Sequence, residues 1–360
     1  MKINYIKPKI ILVSHNFNPG HYSHLVASRK LFSELGYEIF RRTHSDFNNR
    51  KGFNIDAKKI TFFKSISLTK KDIYFIWFPS IQVFFEALLL RLFSNINIVY
   101  VYHEPYKPIS DFLNSGYSLT KSLIIQFKLF ISLMIAKLSH KIVMPSDNSL
   151  NAVKSKNLTN LMKINLIYDK RVSSNIKCDR AYFSFIGSIA EDHGFEEFIK
   201  FIKKYCEKYA NPKIKFLIAS KDKLTHKHKM ILKNPIIKNH VDIKCGNSFT
   251  DEEIDNFFSQ TVVAWNAYTR SMQSGVLATS YMNSTPVIIT NKNRSEFFQN
   301  KFNGIEICSS YDFYEILLAF NYIKENFEQL SHNCESSFYN FYFYKSAKED
   351  YRKLFVEESR

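Results

Sequence analysis

The stretch Val262–Glu306 concentrates residues whose types and spacing fit a chemical task. An apolar run, VVAWNAY, leads into the polar TRSMQ, which carries Arg270, Ser271 and Gln273. A segment of helical spacing then begins at Ser274-Gly275, and a second apolar run, PVIIT, follows. Runs rich in Val and Ile, separated by enough chain for a crossover helix, read as strand, loop, helix and strand of a parallel sheet buried on both faces. Such a unit puts the helix start at the carboxyl edge of the sheet, where the first amides lack helical partners and the dipole is positive. An anion is favoured there, and Gly275 lets its backbone come close to one. Arg270, a planar fork just ahead of that start, suits a phosphate. Taken alone, the same residues also fit a structural helix capped by Ser274 and preceded by a surface arginine.

The elements that must hold such a site fill a chain of 360 residues, long enough for two domains with separate cores. A hydrophobic share of 45% with only 9 Gly and 9 Pro excludes a disordered or fibrous protein. The formal charge of +17 points to a polyanionic partner: nucleic acid, an acidic membrane surface or phosphate-bearing substrates. Cys178, Cys206, Cys245, Cys308 and Cys334 lie far apart, so neither a zinc site nor a disulfide framework is indicated and a reducing cytoplasm fits. The apolar IILV near the start is too short for a signal peptide, and an exported chain is not expected.

The first half opens with KIILVSHNFNPGHYSHLVASRKLFSELGYEIFRR, read as a strand, a loop with Pro19-Gly20, a helix ending near Gly36 and a second strand. The loop has no G-x-G-x-x-G, so it is not a dinucleotide site. KITFF and DIYFIWF are further strand candidates, and IQVFFEALLLRLFS is helical. NINIVYVYHEPYKP reads as a strand stopped by Pro105 and Pro108, which leaves His103 and Glu104 at its end. Within Leu119–Met144, apolar residues repeat at helical spacing, but Lys128 and Lys137 leave too short a stretch between them to span a bilayer. Core packing is the expectation for that helix, with lipid contact through Lys121, Lys128, Lys137 and Lys141 as the alternative. The pattern loses periodicity between Asn165 and Asp179, where the hinge is placed. Domains are therefore expected at 1–168 and 169–335, with 336–360 a helix returning to the first.

YFSFIGSIAEDHGFEEFIKFIKKY, KIKFLIAS, VDIKCGNSFTDEEIDNFFSQ and the Val262–Glu306 stretch together resemble the donor-binding half of the GT-B glycosyltransferases. The likeness is to the large bacterial group that builds polysaccharides. It covers the last half clearly and the first half only by its strand-helix rhythm. It implies an α/β fold of two Rossmann-like domains with parallel sheets facing across a cleft, and a nucleotide-sugar co-substrate whose diphosphate sits at Ser274-Gly275. By the same likeness, Gly187 and Ser188 lie in the donor loop, Gly246 and Asn247 meet the nucleotide base, and Glu296 supports the ribose or phosphate loop. Gly20 and His21 lie beside acceptor and phosphates, and His103 has a donor-sugar or catalytic role with Glu104 available as a base.

The pattern also departs from the family. Ser271 and Thr279 stand where many retaining members carry two glutamates, and Gly187-Ser188 and His193-Gly194 replace the usual cationic steps. Lys221, Arg270 and Arg294 are the nearest substitutes. A diphosphate leaving group needs such cations or amide donors. No Asp-x-Asp motif is present, so transfer without an essential metal is expected. The functional expectation is a glycosyltransferase acting on a lipid-linked saccharide in surface polysaccharide (O-antigen or capsule) synthesis. It would be cytoplasmic, held peripherally at the anionic inner face of the membrane. The alternatives are a non-catalytic scaffold of the same fold and a nucleic-acid-binding protein, though no specific nucleic-acid motif is found.

Overall fold

Short runs dominated by Ile, Val, Phe and Tyr form two parallel sheets in the computed structural model, which describes residues 7–50, 52–153, 158–171, 180–209, 211–269 and 275–356. The first sheet contains β1 (Lys9–Ser14), β2 (Glu38–Thr43), β3 (Lys58–Lys59), β4 (Ile73–Ile76), β5 (Asn97–Val101), β6 (Lys141–Met144) and β7 (Leu161–Lys163). Its order is β3-β2-β1-β4-β5-β6-β7. The second contains β8 (Tyr182–Ile186), β9 (Lys215–Ser220), β10 (Val241–Cys245), β11 (Thr261–Trp265), β12 (Val287–Thr290) and β13 (Gly304–Ile307), ordered β10-β9-β8-β11-β12-β13. Neighbouring strands pair in parallel throughout. Each order reverses once, between β1 and β4 and between β8 and β11. These are the switch points of doubly wound sheets, where successive connections leave on opposite faces and open a crevice at the carboxyl ends.

The first unit comprises 1–169 and 342–360, the second 170–341. In the first unit, α1 (Pro19–Glu34) covers one sheet face, with Phe32 edge-on to Phe75 at 5.0 Å. The other face is covered by α2 (Ile81–Phe93) and α4 (Leu119–Leu138), with α3 (Ile109–Asn114) leading into α4. Val83, Ala87, Leu90, Ile135 and Ala136 share one core with Ile11, Ile76 and Tyr100. Ser80 caps α2 by accepting from the Val83 amide at 3.1 Å. Buried within this unit, Glu86 accepts hydrogen bonds from His15 Nε2 at 2.8 Å, from Arg42 and from Tyr74. Those partners outweigh desolvation and hold its carboxyl down at about 2.

In the second unit, α5 (Phe195–Lys208) buries an apolar face that includes Phe198 and Ile202, and α6 (Asp251–Ser259) opens on the Thr250/Glu253 capping box read from the sequence. Then come α7 (Gly275–Met282), α8 (Phe313–Glu325) and α9 (Phe327–Phe341). The chain returns to the first unit through α10 (Lys348–Phe355), where Tyr351 meets Phe32 at 5.3 Å. Tyr168 anchors that return, donating its amide to Tyr342 and accepting from the Tyr344 amide.

Several expectations change. The second unit runs to Phe341 rather than 335, because Leu330, Cys334 and Phe338, four residues apart, keep one buried stripe on α9. KITFF is mostly not strand: pairing stops at Lys59, and Phe62–Ile66 turn into a short helix. The Leu119–Leu138 helix is core on one side only, with Leu123 and Phe127 each 53% exposed.

Removing one partner from a buried charge cluster leaves the others unpaired, a loss of about 3 kcal/mol. Glu86→Ala should therefore lower unfolding free energy by that order in urea titrations at neutral pH. An unchanged urea midpoint would show that the cluster carries no stability.

Candidate functional site

At the switch point of the second sheet, β8 ends at Gly187, whose amide donates to the Ala219 carbonyl at 3.0 Å. A Cβ on Gly187 would lie 3.3 Å from Val276 in the first turn of α7, so this loop runs directly against the helix start. Gly275 itself is exposed. The next residues form a clamp on the loop. His193 Nδ1 donates to the Ser188 carbonyl at 2.7 Å, and its ring stacks on Tyr268 at 4.4 Å. Thr269 donates its amide to the Asp192 carbonyl at 2.9 Å, and Asp222 accepts from the Ile189 amide at 2.7 Å. Gly194, at φ +68°, sits so close to the chain just past β11 that a Cβ would fall 2.3 Å from the Ala267 carbonyl oxygen, while Trp265 Nε1 donates to the Gly194 carbonyl at 3.0 Å. Only glycine fits there.

The neighbouring strand ends bring further predicted residues to this edge. Lys221 is exposed just past β9, and the Gly246 amide donates to Ser220 at 3.0 Å with Asn247 exposed beside it. Arg270, Ser271, Gln273 and Ser274 lie outside the described residues. Thr279 turns its hydroxyl to the Gly275 carbonyl at 2.9 Å. Arg294 lies 3.7 Å from Glu306 on the edge strand. Glu296 does not begin a helix: it sits exposed in a turn, because Asn303 reaches back to Phe297 and Gln299 and fixes an irregular loop there. Asp192, Asp222 and Tyr268 were not anticipated, and only the polar step after each strand marked the region.

The carboxyl edge of the first sheet gathers an aromatic cluster. Phe78 lies between His103 and His21, its ring stacked on both, and the His103 centroid is 4.9 Å away. His24 stacks on Trp77 at 4.9 Å and donates from Nδ1 to the Ile167 carbonyl at 3.0 Å. Burial, with His24 nearby, pushes His103 down to about 3 despite a hydrogen bond to the Trp77 backbone. Its ring is therefore neutral at pH 7. Nε2 is buried and has no hydrogen-bond partner among the described residues. Glu104 is exposed next to it. Gly20 is no loop glycine: Pro19 opens α1, and Asn18 caps it by accepting from the Gly20 amide at 3.2 Å.

No family model matches the sequence, and no curated protein does. Solved structures match the whole fold. A glycosyltransferase from Rickettsia africae superposes with a TM-score of 0.71 over 98% of both chains at 11% identity. The fold is GT-B. HepE of Anabaena in complex with UDP gives 0.67 over 96% of this chain and 98% of its own at 10% identity. The pneumococcal O-GlcNAc transferase GtfA, in complex with UDP and GlcNAc, gives 0.58 at 17% identity; it matches 82% of this chain, which spans 58% of that enzyme's length. At such identities the likeness is one of fold.

Two outcomes check this geometry. Gly194→Ala should destabilise the protein by about 1–3 kcal/mol or more, from strain and overlap, whereas Gly20→Ala, with nothing nearer its Cβ than Asn18 Oδ1 at 3.7 Å, should be neutral or slightly stabilising in the same urea titration. His103 binds a proton more weakly folded than unfolded, so its contribution to stability is complete above its unfolded value of 6.5 and is lost as pH falls toward 3. His103→Gln should flatten the stability profile across that window; an unchanged slope would place the buried titration elsewhere.

Proposed function

We propose that the protein transfers a sugar from a nucleotide-sugar donor to a saccharide acceptor. One observation carries this reading: the exposed start of α7 lies against the Gly187 loop at the switch point of the second sheet. Amides there, with Lys221 just past the end of β9 and Arg270 shortly before α7 in sequence, meet the charge that grows on a departing nucleoside diphosphate. The acceptor hydroxyl oxygen forms a bond to the anomeric carbon as the carbon–oxygen bond to the diphosphate breaks, and the hydroxyl proton leaves to a base. A histidine held near 3 is too weak to take that proton efficiently at neutral pH. His103 is therefore assigned to accepting a hydrogen bond from a sugar hydroxyl through Nε2, reached when its covering rings shift, and Glu104 to the proton.

The like-folded HepE and GtfA with UDP support UDP-sugars as the first donors to try. A lipid-linked saccharide of a bacterial surface polysaccharide is the acceptor we assign, with the protein working at the cytoplasmic face of the membrane and without an essential divalent cation.

A tight ligand of the native state raises the melting temperature, by about 2.7 kcal/mol of added stability at a hundredfold excess over Kd. One nucleotide of a UDP, GDP, ADP and CDP panel, or its sugar conjugate, should do so, with or without EDTA. Gly275→Glu should weaken that binding at least about tenfold by repelling phosphate. The unliganded melting temperature should hold, since an acid at a helix start favours the helix. No shift with any nucleotide, or equal affinity in the variant, would remove the site, while donor hydrolysis by the purified chain would exclude a non-catalytic scaffold.

A further inference from the structure

The first unit carries an apolar face that its own core does not use. On α2, Ile81, Phe85, Leu89 and Leu92 are 39–65% exposed, and on α4, Leu119, Leu123, Phe127 and Phe130 are 48–59% exposed. Both sets follow the same spacing of four, four and three residues, so each is one stripe along its helix. The helices pack side by side on the same sheet face and send Val83, Leu90 and Ile135 inward, so both stripes point outward together. An outward apolar face of this length is far beyond the scattered exposed residues of an ordinary surface.

The exposed charges on the two helices themselves are all of one sign. Arg91, Lys121, Lys128 and Lys137 are exposed on these two helices, and the single acid on either, Glu86, is buried and hydrogen-bonded. By length and composition α4 passes as a membrane-crossing helix, with only 28% of its most apolar window buried. Its inner side, however, is committed to the sheet through Ile135, Ala136 and the Ser132–Tyr100 hydroxyl pair. A helix held along one flank, with basic residues among its exposed apolar ones, lies in a bilayer interface rather than across it.

We infer that the α2–α4 face docks on an anionic lipid surface, its Phe and Leu side chains entering the acyl boundary and its lysines meeting lipid phosphates. The docked helix is tied to the strand end that carries His103. Tyr106 donates its amide to Tyr102 Oη at 3.0 Å, its hydroxyl is hydrogen-bonded by Gln126 of α4, and Phe112, Tyr117 and Leu129 pack beneath it. Lipid contact along α4 thus holds the His103–Glu104 edge at a fixed offset from the bilayer, suited to an acceptor whose saccharide is anchored in lipid. That last step rests on the glycosyl-transfer reading; the docking itself does not.

The test is co-sedimentation of the full chain with vesicles of phosphatidylcholine alone and with about one third phosphatidylglycerol. Strong binding to the mixed vesicles is expected, falling at least about tenfold for the Phe85→Glu/Phe127→Glu pair. It should fall several-fold for Lys121→Ala/Lys128→Ala/Lys137→Ala and on raising salt. These side chains are exposed, so an unchanged melting temperature shows the variants folded. Absence of vesicle binding, or equal binding by the Phe pair variant, would overturn the inference. So would a wild-type dimer that the pair variant converts to monomer without any vesicle binding, which would make the face a contact between copies. Vesicle binding that persists in a chain no nucleotide stabilises would leave the docking standing and remove the transferase reading.

Discussion

A parallel sheet can reach its next strand only by crossing over one of its own faces, and that requirement governs both halves of this chain. Each crossover delivers a loop to the carboxyl edge, and where the crossovers change faces the loops part. In the first sheet this happens between β1 and β4, which puts Pro19 and the start of α1 near Trp77 and Phe78. In the second it happens between β8 and β11, which puts Gly187 against the first turn of α7. The chemistry assigned to each unit follows from these two reversals.

The second edge is braced by contacts among its own loops. Asp222 holds Ile189, Thr269 holds Asp192, and the His193 ring lies on Tyr268, so the β8 loop is fixed from the β9 side and the β11 side at once. Gly194 then lets the backbone pass within contact of Ala267, which draws the start of α5 onto β11. A site that must offer amides to an anion gains from such restraint, because donors already in place need no reordering when charge develops. Glu86 does comparable work in the first unit, tying the residue after β1, the end of β2 and the middle of β4 to one carboxylate on α2.

The sequence was legible wherever a local rule was sufficient. The β-branched runs marked the strands, Thr250 and Glu253 marked a helix start, and His103 fell past its strand because Pro105 stops the pattern. It was opaque where the deciding partner is distant. Gly20 has the look of a turn glycine until Asn18 is seen capping a helix that Pro19 begins. Glu296 has the look of a helix opener until Asn303 is seen holding the turn. The stripe on α4 reads from the sequence as core, yet it is largely exposed, because periodicity shows that a helix has an apolar face and not what covers it. Only the placement of α2 beside it, with its own stripe turned the same way, decides that.

The same distinction sharpens the meaning of the net charge. Asp72, Glu86, Asp192, Glu197 and Asp255 are buried, and several serve as internal acceptors: Asp72 for the Lys9 and Thr69 amides, Asp255 for Asn283. With acids withdrawn in this way, the outer surface is more basic than the formal +17 suggests. A basic surface alone would suit a nucleic acid as well as a bilayer, since both present phosphates. A nucleic acid, however, offers no hydrocarbon, and leaving Phe85, Phe127 and Phe130 in water carries a cost that entry into an acyl layer relieves. Cations interleaved with a continuous apolar stripe therefore favour the lipid surface, and they do so in the unit that also presents the neutral histidine.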